Sequence, residues 1–232
     1  MSEIKYSILM PFYKRFEQFE KTLSSFVFWY EKRKDIEVII VFDSKVTRKE
    51  ANQVECLIMD TSEIQVSTVY RKSLGCNPCV SFNIGAGIAK GDFFVITNPE
   101  CYHVTDVLSG LDEEFEKDEN VYVVCACKSL KKDYTMNMWY QHSVLRNKEY
   151  HFCTALHKDN YWGIGGFDER FANGISYDDD AFRDAIKKAG ISFVHRDDLV
   201  VYHLLHEKIR PLKYRQLLRT NEALYQKYYK ES

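Results

Sequence analysis

Five apolar side chains in a row, Val38-Ile39-Ile40-Val41-Phe42, limit what this chain can fold into. A strand with one wet face alternates apolar and polar residues. A strand without alternation is covered on both faces, as happens inside a parallel sheet packed between helices. The surroundings repeat the theme. Residues 4–10 read as a short buried strand ended by Pro11, and 64–70, 92–97 and 121–126 as further strands. Helical patterns separate them: 16–30, with Phe16, Phe19, Leu23, Phe26, Val27 and Tyr30 on one face, then 49–59, 78–90 closed by Gly91, and 106–117. This alternation predicts an α/β fold, an open, mostly parallel sheet with helices on both faces. In such sheets ligands sit beyond the carboxyl ends of the strands. Pro11-Phe12-Tyr13, Asp43-Ser44 and Asn98-Pro99-Glu100 all fall at such ends. Turn or cap chemistry is the plain alternative for Asp43, and a polar turn for Asn98-Pro99-Glu100.

A second pattern occupies residues 161–190. A glycine-rich turn, Gly163-Ile164-Gly165-Gly166-Phe167, runs into Asp168-Glu169, and Asp178-Asp179-Asp180 follow. Ala181, Phe182, Ala185, Ile186 and Ala189 then recur at helical spacing until Gly190. Acids suit a helix N-terminus, but a third adjacent charge repels the first two. At least one is therefore expected to be a catalytic carboxylate at a cleft mouth, a base for an incoming hydroxyl. Residues 128–148, with Trp139 and Tyr140, read as an irregular excursion over that edge. Strand-like segments return at 192–195 and 199–203, and place His203 at a strand end with His206 three residues on, a surface or capping pair or, with Glu100 and Asp179, candidates for a metal site.

The 232 residues divide into a domain over 1–206, in halves of 1–127 and 128–206, and a helical tail over 207–232. The tail carries Lys208, Arg210, Lys213, Arg215, Arg219, Lys227 and Lys230. It reads as an amphipathic helix docked on the domain, or as a peripheral membrane or acceptor contact. A net charge of −2 gives no support for nucleic-acid binding. No apolar run is long enough to span a membrane. Seven cysteines without a leader pattern suggest a reducing, cytoplasmic setting. Cys76-Asn77-Pro78-Cys79 and the pair Cys125 and Cys127 admit a zinc or redox reading. Asn77 as a helix cap ahead of Pro78, with the cysteines as packing residues, explains them better.

Taken in order, these segments resemble the family 2 glycosyltransferases, with a nucleotide-sugar-binding GT-A fold, over about residues 5–206. The first strand with Pro11, Phe12 and Tyr13 is similar to the family's nucleotide-lining opening, and Asp43 stands where an aspartate reads the base. Residues 81–92 resemble its A-R-N-x-G-x-x-x-A-x-G-E helix, with Phe82 in place of Arg, and put Asn83 on the donor side. Asn98-Pro99-Glu100 replaces the family's D-x-D, which implies a nucleotide contact for Asn98 and a metal ligand in Glu100. His203 resembles the late histidine of the metal site, and the implied metal is Mn2+ or Mg2+. Gly165-Gly166-Phe167-Asp168-Glu169 matches the acceptor-side G-G-F-D-E loop. The resemblance thus puts Trp162, Gly165, Gly166, Asp168, Glu169 and His206 near the acceptor or sugar. Asp178 and Asp179 fall on the family's E-D pair, with Asp179 as general base and Asp178 orienting the acceptor or raising its neighbour's pKa. Ala181 and Ala185 replace the final acid and the usual Arg.

The implied activity is inverting transfer from a UDP-, GDP- or dTDP-sugar to a glycan or glycoconjugate hydroxyl. The rivals are a silent sugar-nucleotide or glycan-binding module and a nucleotidyltransferase. The latter would need a glycine-rich loop, and none precedes Lys14 and Arg15.

Overall fold

Burial on both sides of β2 organises the molecule, whose computed structural model describes residues 3–72, 75, 77–207 and 212–230. The chain runs through β1 (Tyr6–Phe12), α1 (Phe16–Tyr30), β2 (Ile36–Phe42), α2 (Arg48–Thr61), β3 (Gln65–Tyr70), α3 (Cys79–Ile88) and β4 (Phe93–Thr97). It continues with β5 (Cys101–His103), α4 (Val107–Phe115), β6 (Val121–Leu130), β7 (Met136–Gln141), β8 (Cys153–His157) and α5 (Lys158–Gly163). A 3-10 turn (Glu169–Asn173), α6 (Asp178–Lys188), β9 (Ser192–His203) and α7 (Tyr214–Tyr225) complete it, with a wider helical turn at Gln226–Lys230.

All seven β2 residues are buried. Side chains alternate across the sheet, so Ile8, Met10 and Phe12 of β1 face α1, α2 and α4, while Leu9 joins α3 and α6 on the other side. Helices therefore cover both faces. Glu37, buried in β2, is satisfied by Ser7 Oγ at 2.7 Å and the Lys90 amide at 2.6 Å, as a buried carboxylate requires.

The sheet order is β3-β2-β1-β4-β8-β6-β9-β5, with β7 on β6. The four strands β3-β2-β1-β4 are parallel; β8 is antiparallel to both its neighbours, β9 is parallel to β6, and β5 is antiparallel to β9. Helix α1 has the bounds its periodicity predicts.

Three expectations change. Pro11 does not end β1: pairing with β4 stops at Leu9, and β2 alone continues beside Pro11 and Phe12, an open side on which a missing N–H is tolerated. The irregular excursion is a hairpin of β6 and β7 with two register shifts. The two late segments are one strand, β9, whose bulge lets Arg196 and Val200 pair with the successive residues Cys125 and Ala126. The three-residue β5 has no periodicity to read.

Asn77 Oδ1 accepts from the Cys79 amide at 3.0 Å, but α3 begins at Cys79 with Pro78 at its N-cap, one residue later than expected. Cys79, Cys125 and Cys127 are buried in the core. Cys76, Lys208 and Arg210 lie outside the described residues. Among the described residues no helix is long and apolar enough to cross a membrane.

Candidate active site

At the carboxyl ends of β1, β2 and β4 opens a cleft of about 470 Å³, where an open α/β sheet binds its ligands. Pro11, Phe12, Tyr13, Asp43, Asn98, Pro99 and Glu100 line it, with Arg15, Arg71, Asn77, Ile175 and Tyr214 among the remainder. Asp43 does not stand alone there. Arg71, buried just past β3, pairs with it at 2.5 Å and donates to the carbonyls of Gly75 and Asn77. A buried guanidinium tied to three oxygens fixes the carboxylate's position. Nothing in the sequence marks Arg71, which is one of several basic residues in a polar loop.

Glu100 reaches the same rim because the β5–β9 pairing brings it there. Cys101 sits opposite His203, and the Leu204 amide donates to the Glu100 carbonyl at 2.8 Å. Glu100 Oε1 then lies 3.7 Å from His203 Nε2, 3.4 Å from His206 Nε2 and 3.9 Å from Arg15 Nε. Burial opposes its charge, but hydrogen bonding from His206 and the charges of His203, His206 and Arg15 outweigh burial and hold Glu100 below the usual carboxylate range. Burial also pushes His203 down, against Glu100's pull, and a neutral imidazole is the form that ligates a metal. One carboxylate and two imidazoles have ligand atoms within 4.8 Å of one another. That donor set fits a divalent ion such as Mn2+; among the described residues Arg15 is a neighbour that opposes it. His206, which the resemblance puts on the acceptor side and the strand-end pattern pairs with His203 as a metal candidate, stands with Glu100 and His203.

The acids of α6 form the second cluster. Asp178 is 5 % exposed and accepts from Asn77 Nδ2 at 2.7 Å. Burial and the charge of Asp179 push its pKa up to about 6. Asp179 pairs with Nδ1 of His151, a residue the sequence reading missed, since a lone histidine ahead of β8 carries no pattern. His151 is buried edge-on against Phe82 and Phe167. Burial works against its charge, but Asp179 foremost, then Asp178 and Glu100, raise its pKa above the ordinary value. His151 therefore feels both clusters. Asn98 joins them physically, its Nδ2 donating to the His151 carbonyl at 3.1 Å.

A stability effect follows from Asp178. Folding raises its pKa from 3.8 to about 6, so below pH 4 the buried group is neutral and costs nothing. As pH rises through 6 it ionises in the fold and stability is lost. Asp178→Asn removes that penalty, so its gain in unfolding free energy is near zero at pH 4 and up to about 3 kcal/mol at pH 8. Urea unfolding at the two pH values measures the difference.

The remaining expected residues lie elsewhere. Gly165 and Gly166 take φ of +85° and +69°, and a Cβ on Gly166 would come within 2.7 Å of Asn83 Oδ1. Asn83 is spent on this turn: Oδ1 accepts from the Phe167 amide and the Tyr161 hydroxyl, and Nδ2 donates to the Phe167 carbonyl and Glu169. It does not line the cleft, which corrects its placement on the donor side. Asp168 caps the 3-10 turn and bonds Arg170 and the Tyr229 hydroxyl. With Trp162, Gly165, Gly166 and Glu169 it lines a separate depression of about 650 Å³, between α3 and α6, that shares no lining residue with the cleft. The structure does not bring these five to Glu100.

Three comparisons bear on this arrangement. The family model described as Glycosyl transferase family 2 matches residues 7–173. No curated protein matches significantly. Among solved structures, the mannosyltransferase PcManGT from Pyrobaculum calidifontis, in complex with GDP-Man and Mn2+, superposes with a TM-score of 0.68 at 14% identity. The match covers 93% of this chain and 60% of that one, so the chain spans little more than half of that relative. S. aureus TarS 1-349 in complex with UDP-GlcNAc gives 0.70 at 12% identity, covering 96% and 67%. GalNAc-T7 with UDP, GalNAc and Mn2+ gives 0.70 at 12%, covering 96% and 48%. At such identities the likeness concerns the fold, the GT-A fold of these transferases. The family match takes in Asp43, Asn98-Pro99-Glu100 and the Gly165–Glu169 turn, and on that match the chain belongs to glycosyl transferase family 2.

Proposed function

We propose that this glycosyltransferase is inverting and uses a divalent metal, Mn2+ or Mg2+, to move a sugar from a UDP-, GDP- or dTDP-sugar to a glycan or glycoconjugate hydroxyl. One observation carries the reading: Glu100 of the Glu100–His203–His206 cluster lines the cleft together with Asn98, and Asn98 binds the His151 carbonyl of the His151–Asp179 pair. The complexes with GDP-Man, UDP-GlcNAc and UDP in proteins of this fold support a nucleotide in that cleft.

Pro11, Phe12 and Tyr13 wall the nucleotide, and Asp43, held in place by Arg71, offers an acceptor to the edge of its base. Glu100, His203 and His206 would hold the metal, which when bound would supply charge neutralisation for the departing diphosphate. Asp179 takes the acceptor hydroxyl's proton as its oxygen bonds to the anomeric carbon and the bond to the diphosphate breaks. A single displacement inverts that carbon. His151, paired through Nδ1, keeps Asp179 aimed, and Asp178, bonded to Asn77, anchors the start of α6 beside it.

The test is a panel of UDP-, GDP- and dTDP-sugars, with Mn2+ or Mg2+, assayed for nucleoside diphosphate release. The expected outcome is release from one donor, abolished by chelation. Binding of a donor without release under any condition would identify a silent binding module instead.

A further inference from the structure

We infer that α7 is part of the catalytic apparatus, with Asn221 as the positioning residue that sets the loop carrying Asp178 and Asp179. The role assigned here rests on the proposal that Asp179 is the general base.

The loop needs something to hold it. Ser176 and Tyr177, directly before the acids, take φ of +61° and +68°, a left-handed conformation that L side chains rarely adopt and that persists only where the surroundings impose it. Tyr177 stands at the N-cap of α6 without a side-chain cap, so the helix does not secure its own start.

Asn221 supplies the restraint. It is 0 % exposed, and its Nδ2 donates to the Phe171 carbonyl at 3.0 Å and the Ser176 carbonyl at 2.9 Å. One amide thereby spans the loop from the 3-10 turn to the residue before Tyr177. Its fit is close: a Cβ on Gly174 would lie 1.9 Å from Asn221 Oδ1. The backbone repeats the attachment, since the Ile175 amide donates to the Leu217 carbonyl at 3.2 Å. Tyr225 adds a ring contact to Tyr177 and a hydrogen bond of 2.5 Å to Asp184 on α6. Docking a helix needs only apolar burial. A fully buried amide whose donors both go to the carbonyls of one strained loop is a specific restraint. The helix also reaches the cleft, where Tyr214 and Ile175 stand in the wall. Apart from Phe171, all of this lies beyond residue 173, where the family match ends.

The experiment compares wild type with Asn221→Asp, an isosteric change that turns the donor into an acceptor facing two carbonyls. Nucleoside diphosphate release gives kcat and donor KM, and circular dichroism gives the folded fraction. The expected result is a kcat lowered about 10²-fold, as for a catalytic group displaced by about 1 Å, with donor KM within about twofold of wild type, as expected when an interaction specific to the transition state is lost. Adding Ser176→Gly recovers much of the loss, because glycine adopts the left-handed conformation without a restraint. Should Asn221→Asp fail to fold, Tyr225→Phe carries the same comparison, with a several-fold fall in kcat at unchanged KM. A kcat that falls only with the folded fraction, a change confined to KM, or no recovery with Ser176→Gly would overturn the inference. A wild type that turns over no donor removes the transferase reading itself, whereas wild-type turnover with an unaffected Asn221→Asp removes the restraint alone.

Discussion

Asp179→Asn cuts nucleoside diphosphate release about 10²–10⁴-fold, the range a general base contributes, and leaves nucleotide affinity within about twofold. The amide keeps the size of the carboxylate, and the contacts described for Asp179 lie with His151 rather than with the nucleotide-lining residues. What disappears is a proton acceptor for the hydroxyl. The change also has a signature outside activity. His151 is held above its ordinary pKa, against burial, chiefly by Asp179. A histidine raised in this way contributes stability that is complete below about pH 6.5, its unfolded value, and that fades as pH rises through the higher folded value. The wild type therefore loses stability on the alkaline side of pH 6.5, and Asp179→Asn flattens that slope. Steady-state kinetics with nucleotide titration tests the first half; thermal unfolding from pH 5.5 to 8.5 tests the second. A variant with wild-type turnover would take the role away from Asp179.

How much of this was legible in the sequence depends on what kind of pattern a residue leaves. Burial leaves a period, so β2 and α1 are readable from Val38–Phe42 and from the spacing of Phe19, Leu23, Phe26 and Tyr30. Strand ends then locate Asp43 and Glu100 at the correct edge of the sheet. Tertiary pairing leaves none. The three-residue β5, which carries Glu100 to His203, is too short to show alternation. The strand-end spacing of His203 and His206 makes both metal candidates, but nothing local reveals that His206 turns back to Glu100 rather than toward the acceptor side where the resemblance puts it. Asn83 fits a motif, yet its amide is consumed by the Phe167 backbone, Tyr161 and Glu169. His151, Arg71 and Asn221 are single polar residues whose meaning comes wholly from what folding places beside them.

Glu100→Gln separates the metal proposal from the fold. The amide fills the same space between His203, His206 and Arg15 but removes the one anion of the cluster. Two consequences act in the same direction. A hard cation loses its carboxylate oxygen, and the Arg15 guanidinium, 3.9 Å away, loses its nearest counter-charge and repels a second positive ion. Loss even of groups that only support metal ligands costs 10–100-fold in metal affinity or activity. Loss of this ligand should therefore weaken Mn2+ binding by at least about 10²-fold and depress turnover at fixed Mn2+ at least as far. His203 stays available in the variant, because Glu100 was the group opposing the effect of burial on it. The residual site is thus two imidazoles beside an arginine, which accounts for weak binding rather than a collapsed pocket. Titration of Mn2+ followed by the electron paramagnetic resonance of the free ion, alongside thermal unfolding, distinguishes these. A folded Glu100→Gln protein that binds Mn2+ as the wild type does would place the ion elsewhere and leave Glu100 a partner of Arg15.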